Sequence, residues 1–226
     1  MNKTHISPST FEFLKKLKKN NERNWFNEHK KQFKKEEKQV KAFFNTLLEK
    51  LRTHDEIEEV KMFRIYRDVR FSANKKPYKE HLAGSFRRVK PRLRGGYYLH
   101  LEPEKSFVGC GFWAPEKDDL KRIRKEFEVD DSEIRAILKD KKLKATFGEM
   151  KGDELKTAPR GFDKEHPAID LIRKKQFVFT KTFSDAEVLS PDFIDQVDNA
   201  FKAVRPYFDY MSDVLTTDLN GVSLID

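Results

Sequence analysis

Residues 95–113 read GGYYLHLEPEKSFVGCGFW. Tyr97, Leu99 and Leu101 alternate with Tyr98 and His100, the two-residue period of a strand with one apolar face. A polar turn falls between Glu102 and Lys105, and Phe107 to Trp113 run back. The pattern predicts an antiparallel hairpin. Gly109 and Gly111 carry no side chain, so another segment can pack closely against the second strand. An isolated hairpin is marginal in water and needs further strands or helices to bury its apolar face.

The flanking sequence supplies both. Upstream, Phe63, Ile65, Val69 and Phe71 alternate with Arg64, Tyr66, Asp68 and Arg70, predicting a strand from Lys61 onward. Downstream, Gln176 to Phe183 predicts the last strand, with Phe177, Phe179 and Phe183 on one side. Helical spacing governs the two ends of the chain. Ser7 or Ser9 can cap a first helix carrying Phe11, Leu14 and Leu17, with Asn20 and Asn21 as its stop. A longer helix is expected from Trp25 to about Arg52. Glu116–Glu128 reads as a helix, and Asp131 or Ser132 can cap a short one through Lys139. Residues 140–165 read as polar loop, and His166–Lys174 as a short helix. Ser190, Pro191 and Asp192 mark a helix start that Phe193, Val197, Phe201 and Val204 continue, and Pro206 kinks or divides that helix. The expected fold is α+β: a mainly antiparallel sheet with N-terminal and C-terminal helices packed on it. With no repeat and no linker, residues 1–226 are expected to form a single domain.

Composition narrows the class. Hydrophobic residues make up 37% of the chain and charged residues 38%, so aliphatics alone are too few for a large core. The 20 Phe residues compensate, because each ring carries a large buriable area. Cys110 is the one cysteine, so no intramolecular disulfide forms and a reducing compartment is expected. The start MNKTHISPSTFEF has no apolar signal core, and no apolar run is long enough to cross a bilayer. The expectation is a cytoplasmic protein with no membrane partner.

The net charge of +9 is unevenly spread. Residues 61–94 hold twelve Lys/Arg against Asp68 and Glu80, and residues 183–226 hold nine acids against Lys202 and Arg205. The basic stretch therefore meets either an external anion or the chain's own acidic tail.

Within it, residues 64–79 read RIYRDVRFSANKKPYK. Guanidinium groups are planar, permanently charged and bidentate, which suits phosphate and carboxylate oxygens. On a regular strand Arg64, Asp68 and Arg70 share one face, and Arg67 falls on the apolar face with Ile65 and Val69. A guanidinium there is costly unless it finds an acid or a bulge re-aims it. Arg64, Arg67, Asp68, Arg70, Asn74, Lys75, Tyr78 and Lys79 are the candidate ligand-binding residues, with Asp68 orienting the arginines. The other reading is an Arg–Asp network that only braces the sheet.

This segment resembles the hallmark of a bacterial family catalogued as domain of unknown function 2461, with the motif R-x-x-R-D-x-R-F-x-x-[DN]-K-x-P-Y. Arg64, Arg67, Asp68, Arg70, Phe71, Asn74, Lys75, Pro77 and Tyr78 meet every specified position. NERNWF (21–26), GYYLHL (96–101), GCGFW (109–113) and PRGFDKEHP (159–167) also resemble family segments, so the likeness spans nearly the whole chain. It implies a single domain of about this length and assigns no activity, catalytic residue or cofactor.

Other signals are weaker. SFRRVKPRLRGG (85–96) reads as a basic connection between strands, or as a loop that contacts nucleic-acid phosphates. His5, His29, His54, His81, His100 and His166 show no zinc-helix spacing, and the lone Cys110 excludes a thiolate cluster, so no metal site is expected. There is no nucleophile elbow, phosphate-binding glycine loop or dinucleotide fingerprint. Whether the protein is an enzyme stays open; Asp68, Tyr78 and His100 are the candidate proton carriers. Three functions stand side by side: a pocket for a small anionic ligand at the arginine motif, a nucleic-acid-binding module using the basic surface 75–94, and an interaction domain without a small-molecule site.

Overall fold

The structure is a computed structural model that describes residues 4–225. Five strands, β1 (Ile57–Met62), β2 (Leu82–Arg88), β3 (Gly96–Leu101), β4 (Ser106–Phe112) and β5 (Phe177–Phe183), form one antiparallel sheet in that order. Helices precede and follow it, so the fold is α+β. The chain divides into two compact units. The first comprises the residues up to Phe86, with Tyr98–Val108 and Thr182–Asn199. The second comprises Arg87–Tyr97, Gly109–Lys181 and the residues from Ala200 onward.

In the first unit, α1 (Pro8–Lys19) starts at Ser7, whose hydroxyl accepts from the Ser9 N–H, and ends at Asn20. Its buried face is Phe11, Phe13, Leu14 and Leu17. Thr10 and Ser9 donate to the buried Glu36 carboxylate at 2.8 and 3.0 Å, tying α1 to α3 (Lys30–Leu51). The expected single helix from Trp25 is broken into α2 (Arg23–Glu28) and α3. At the break His29 leaves helical backbone angles (φ −99°, ψ 8°), and its ring stacks on Trp25 and approaches the Trp25 carbonyl at 2.8 Å. A local side-chain bond thus replaces regular helix geometry.

The strand expected over Phe63–Phe71 is a correction. β1 ends at Met62, and the motif forms the drawn-out connection of the β1–β2 hairpin. Tyr66 and Tyr78 form one antiparallel bridge, with Arg67 N–H on Pro77 O at 2.9 Å and Lys79 N–H on Ile65 O at 2.7 Å. Beyond it the ladder stops for a chemical reason. Pro77 has no N–H to give. Asp68, Ser72 and Asn74 accept from the N–H groups of Arg70, Asn74 and Lys76, two residues on, and this turn chemistry competes with strand pairing. Phe71, expected on the apolar face, is 98% exposed. The basic connection expected over residues 85–96 is also corrected, since its first residues belong to β2.

In the second unit, Gly111 in β4 has φ 125°, and a Cβ there would lie 2.2 Å from the carbonyl oxygen of Phe177 in β5. The close approach expected at Gly111 is real, and only glycine permits it. Lys151 exchanges backbone bonds with Val178, so a connecting segment pairs with β5, the last strand of the sheet. Further helices here are α4 (Lys117–Val129), α5 (Ser132–Leu138), α6 (Lys141–Phe147) and α7 (Ile169–Ile172). α6 replaces part of the expected loop. Asp140 caps it through the Leu143 N–H at 2.8 Å, and its lysine-rich face hides a stripe reduced to Leu143 and Phe147. α8 (Asp185–Leu189), in the first unit, was not expected. It carries a capping box between Ser184 and Glu187. The C-terminal helix is divided as expected into α9 (Phe193–Ala203) and α10 (Arg205–Thr216), with Pro206 in the first turn of α10. Among the described residues no helix is long and apolar enough to cross a membrane.

Candidate functional site

All groups of the candidate site lie in the first unit. The return arm of the motif is anchored from the N-terminal segment. Asn21 accepts from the Tyr78 N–H and donates to the Tyr78 carbonyl, both at 3.1 Å. The Tyr78 ring stacks on Phe26 at 4.0 Å and is 3% exposed. Burial raises the Tyr78 phenol pKa, and the neighbouring Tyr66 adds to the rise. Tyr78 therefore serves as an anchor in the core.

This anchor sorts the motif into two groups. At the exposed tip, Asp68 and Arg70 satisfy each other: Arg70 Nη2 lies 2.7 Å from Asp68 Oδ2, and Arg70 Nε 3.1 Å from Oδ1. The Arg70 guanidinium accordingly holds the Asp68 carboxyl below its ordinary pKa. Lys75 donates to the Val69 carbonyl at 3.0 Å, and the Lys76 N–H donates to Asn74 Oδ1, closing a turn. Lys76 takes Glu80 at 2.8 Å.

At the neck stand Arg64, Arg67 and Lys79. Among the described residues their side chains make no hydrogen bond and no ion pair. Arg67 is half-buried, and its Nε is shielded from solvent with no partner. Neither expected remedy, a buried acid or a bulge, has satisfied it. Burial lowers the Lys79 ammonium pKa, and repulsion from Arg64 and Arg67 lowers it further. Lys79 also lies over the Phe63 ring at 5.6 Å.

Beside the neck is a second cluster. Tyr98, His100 and Glu102 project at two-residue intervals from the β3 strand and its exit. Tyr98 Oη lies 3.0 Å from His100 Nδ1, and His100 Nε2 lies 3.0 Å from Glu102 Oε2. His81, immediately before β2, brings its ring within 4.1 Å of the His100 ring and its Nδ1 within 4.0 Å of Glu102 Oε2. Burial first, then His100, Lys79 and Arg67, push the His81 pKa down to about 4. Burial also lowers that of His100, against an opposing pull from Glu102. Phe107 stacks on His100 at 4.8 Å. Glu102 and Tyr98 were not among the expected site residues. Their signal was the polar face of the predicted hairpin strand, where Tyr-x-His-x-Glu repeats at period two.

The basic surface expected over 75–94 is partly consumed. In the second unit Arg88 is 0% exposed and donates to Asp209 at 3.2 Å, and Arg94 pairs with Asp119. These two arginines meet the chain's own acids.

The model of a family described as conserved hypothetical proteins (DUF2461) matches residues 9–210. The chain belongs to this family. No curated protein and no solved structure matches it. Three separate stretches of the chain contribute to the site: residues 21–26 supply Asn21 and Phe26, residues 64–79 supply the neck, and residues 96–101 supply Tyr98 and His100.

Proposed function

We propose that the neck of the arginine motif binds a small anionic ligand through phosphate or carboxylate oxygens. Arg64, Arg67 and Lys79 are its donors, and His81 and His100 are the neighbouring groups able to take a proton. The observation that carries the reading is Arg67. Its Nε is shielded and has no partner, and its guanidinium stands in electrostatic reach of Lys79 and His81. An unpaired buried donor costs about 1–3 kcal/mol, and like charges add to that cost. An oxyanion among these groups removes both penalties at once. Asp68 and Arg70 brace the tip, Lys75 and Asn74 shape it, and Tyr78 fixes the return arm.

The test is a thermal-shift screen of phosphate- and carboxylate-bearing metabolites against wild type, Arg67→Ala and Arg70→Ala. The expected hits stabilise wild type and Arg70→Ala and leave Arg67→Ala unmoved. Equal stabilisation of Arg67→Ala removes the reading.

A further inference from the structure

The cluster beside the neck has features that a proton-handling role does not explain. Tyr98, His100 and Glu102 form a linear chain of hydrogen bonds. His81 is pressed against that chain, yet among the described residues its ring makes no hydrogen bond; the Glu102 carboxylate is 4.0 Å away. Hydrogen bonding therefore accounts for three of these side chains and leaves the fourth without a reason. The two imidazole rings lie 4.1 Å apart, centroid to centroid, and are tilted by 37°, so their nitrogens share one small space.

We propose that His81, His100 and Glu102 form a three-ligand site for a divalent transition-metal ion. One donor atom from each residue lies within 4.8 Å of the others. Tetrahedral coordination at bond lengths of about 2.0–2.2 Å sets donor atoms about 3.4 Å apart, so small side-chain rotations complete the site. Two imidazoles and one carboxylate are a borderline donor set that suits zinc, iron, cobalt or nickel ahead of magnesium or calcium. Tyr98 supplies the outer contact that metal-bound histidines usually have: with His100 Nε2 on the ion, Nδ1–H donates to the Tyr98 oxygen and fixes the ring. On binding, a neutral His100 whose proton lies on Nε2 changes tautomer, losing that proton to solvent and taking one up at Nδ1 with no net release, and Glu102 exchanges its hydrogen bond for the ion. Three protein ligands leave at least one position open to water or an oxyanion. The inference does not require the anion reading, because Arg64, Arg67 and Lys79 supply none of the ligands.

The test uses full-length protein stripped with chelator and titrated with cobalt(II) in a phosphate-free buffer, followed by its visible absorbance. Wild type is expected to take one equivalent with an intense low-coordinate spectrum that zinc displaces. His81→Ala and Glu102→Gln, each checked for native circular dichroism, are expected to lose at least 100-fold in affinity; either folded variant suffices. Tyr98→Phe, which keeps all three ligands, is expected to weaken binding by about 10-fold. Arg67→Ala is expected to bind cobalt as tightly as wild type or more so, so failure of the anion reading leaves this result intact. Absence of a bound equivalent in wild type, or undiminished binding by a folded His81→Ala or Glu102→Gln, overturns the site.

Discussion

Arg88 and Arg67 come from the same basic stretch and meet opposite fates. Arg88, in the second unit, is 0% exposed. Its Nη1 donates to Arg94 O at 2.9 Å, Ser212 Oγ at 3.2 Å and Phe208 O at 3.3 Å, and its Nη2 to Asp209. Its guanidinium also lies 5.0 Å over the Phe208 ring. Arg67, in the first unit, is less buried and has a shielded Nε with nothing to bond. Burial alone thus says little about an arginine's purpose. What matters is how many of its five donors the protein leaves unused.

The contrast can be broken most severely at Arg88. Arg88→Met is expected to cost at least about 3 kcal/mol in urea unfolding, because it leaves the Arg94 and Phe208 carbonyls and the buried Ser212 hydroxyl without their donor. Unchanged stability would show the network to be decorative and end the comparison. Next in size is Asn21→Ala, expected to cost about 2 kcal/mol by removing both bonds to the Tyr78 backbone. It should also loosen the return arm, read as faster amide exchange at Lys79. Arg67→Met sharpens the contrast. Removing an unsatisfied donor is expected to leave stability unchanged or raise it by up to about 1 kcal/mol while ligand-induced thermal shifts vanish. The smallest effect belongs to the tip. Arg70→Ala is expected to leave the urea unfolding midpoint essentially unmoved, because an exposed ion pair contributes little. A larger loss would mean that the tip is fastened in a way its exposure does not suggest.

The same contrast explains how far the sequence could be read. The 95–113 hairpin, the α1 cap, and the α9–α10 division at Pro206 were legible because each depends on local rules: period two, a serine before proline, a ring without an N–H. The Phe63–Phe71 strand was misread because its alternation is genuine, but the side chains of Asp68, Ser72 and Asn74 satisfy the backbone before a neighbour can. α6 escaped because only Leu143 and Phe147 of its 7 residues face inward, too few to show a helical period. The arginine motif was legible as a chemical segment. Its division into a self-satisfied tip and an unpaired neck was not, since sequence shows which charges exist but not which ones meet.

By itself, then, the sequence determined that antiparallel strands and terminal helices form, that phenylalanine builds the core, and that positive charge gathers in residues 61–94. Periodicity, capping and composition act within a few residues and need no knowledge of the fold. Tertiary structure alone decided that Asp209, 121 residues away, is matched to Arg88, and that His81 comes to rest against His100 and Glu102. Pairing over such distances follows from where packed elements place their side chains, and no local spacing encodes it.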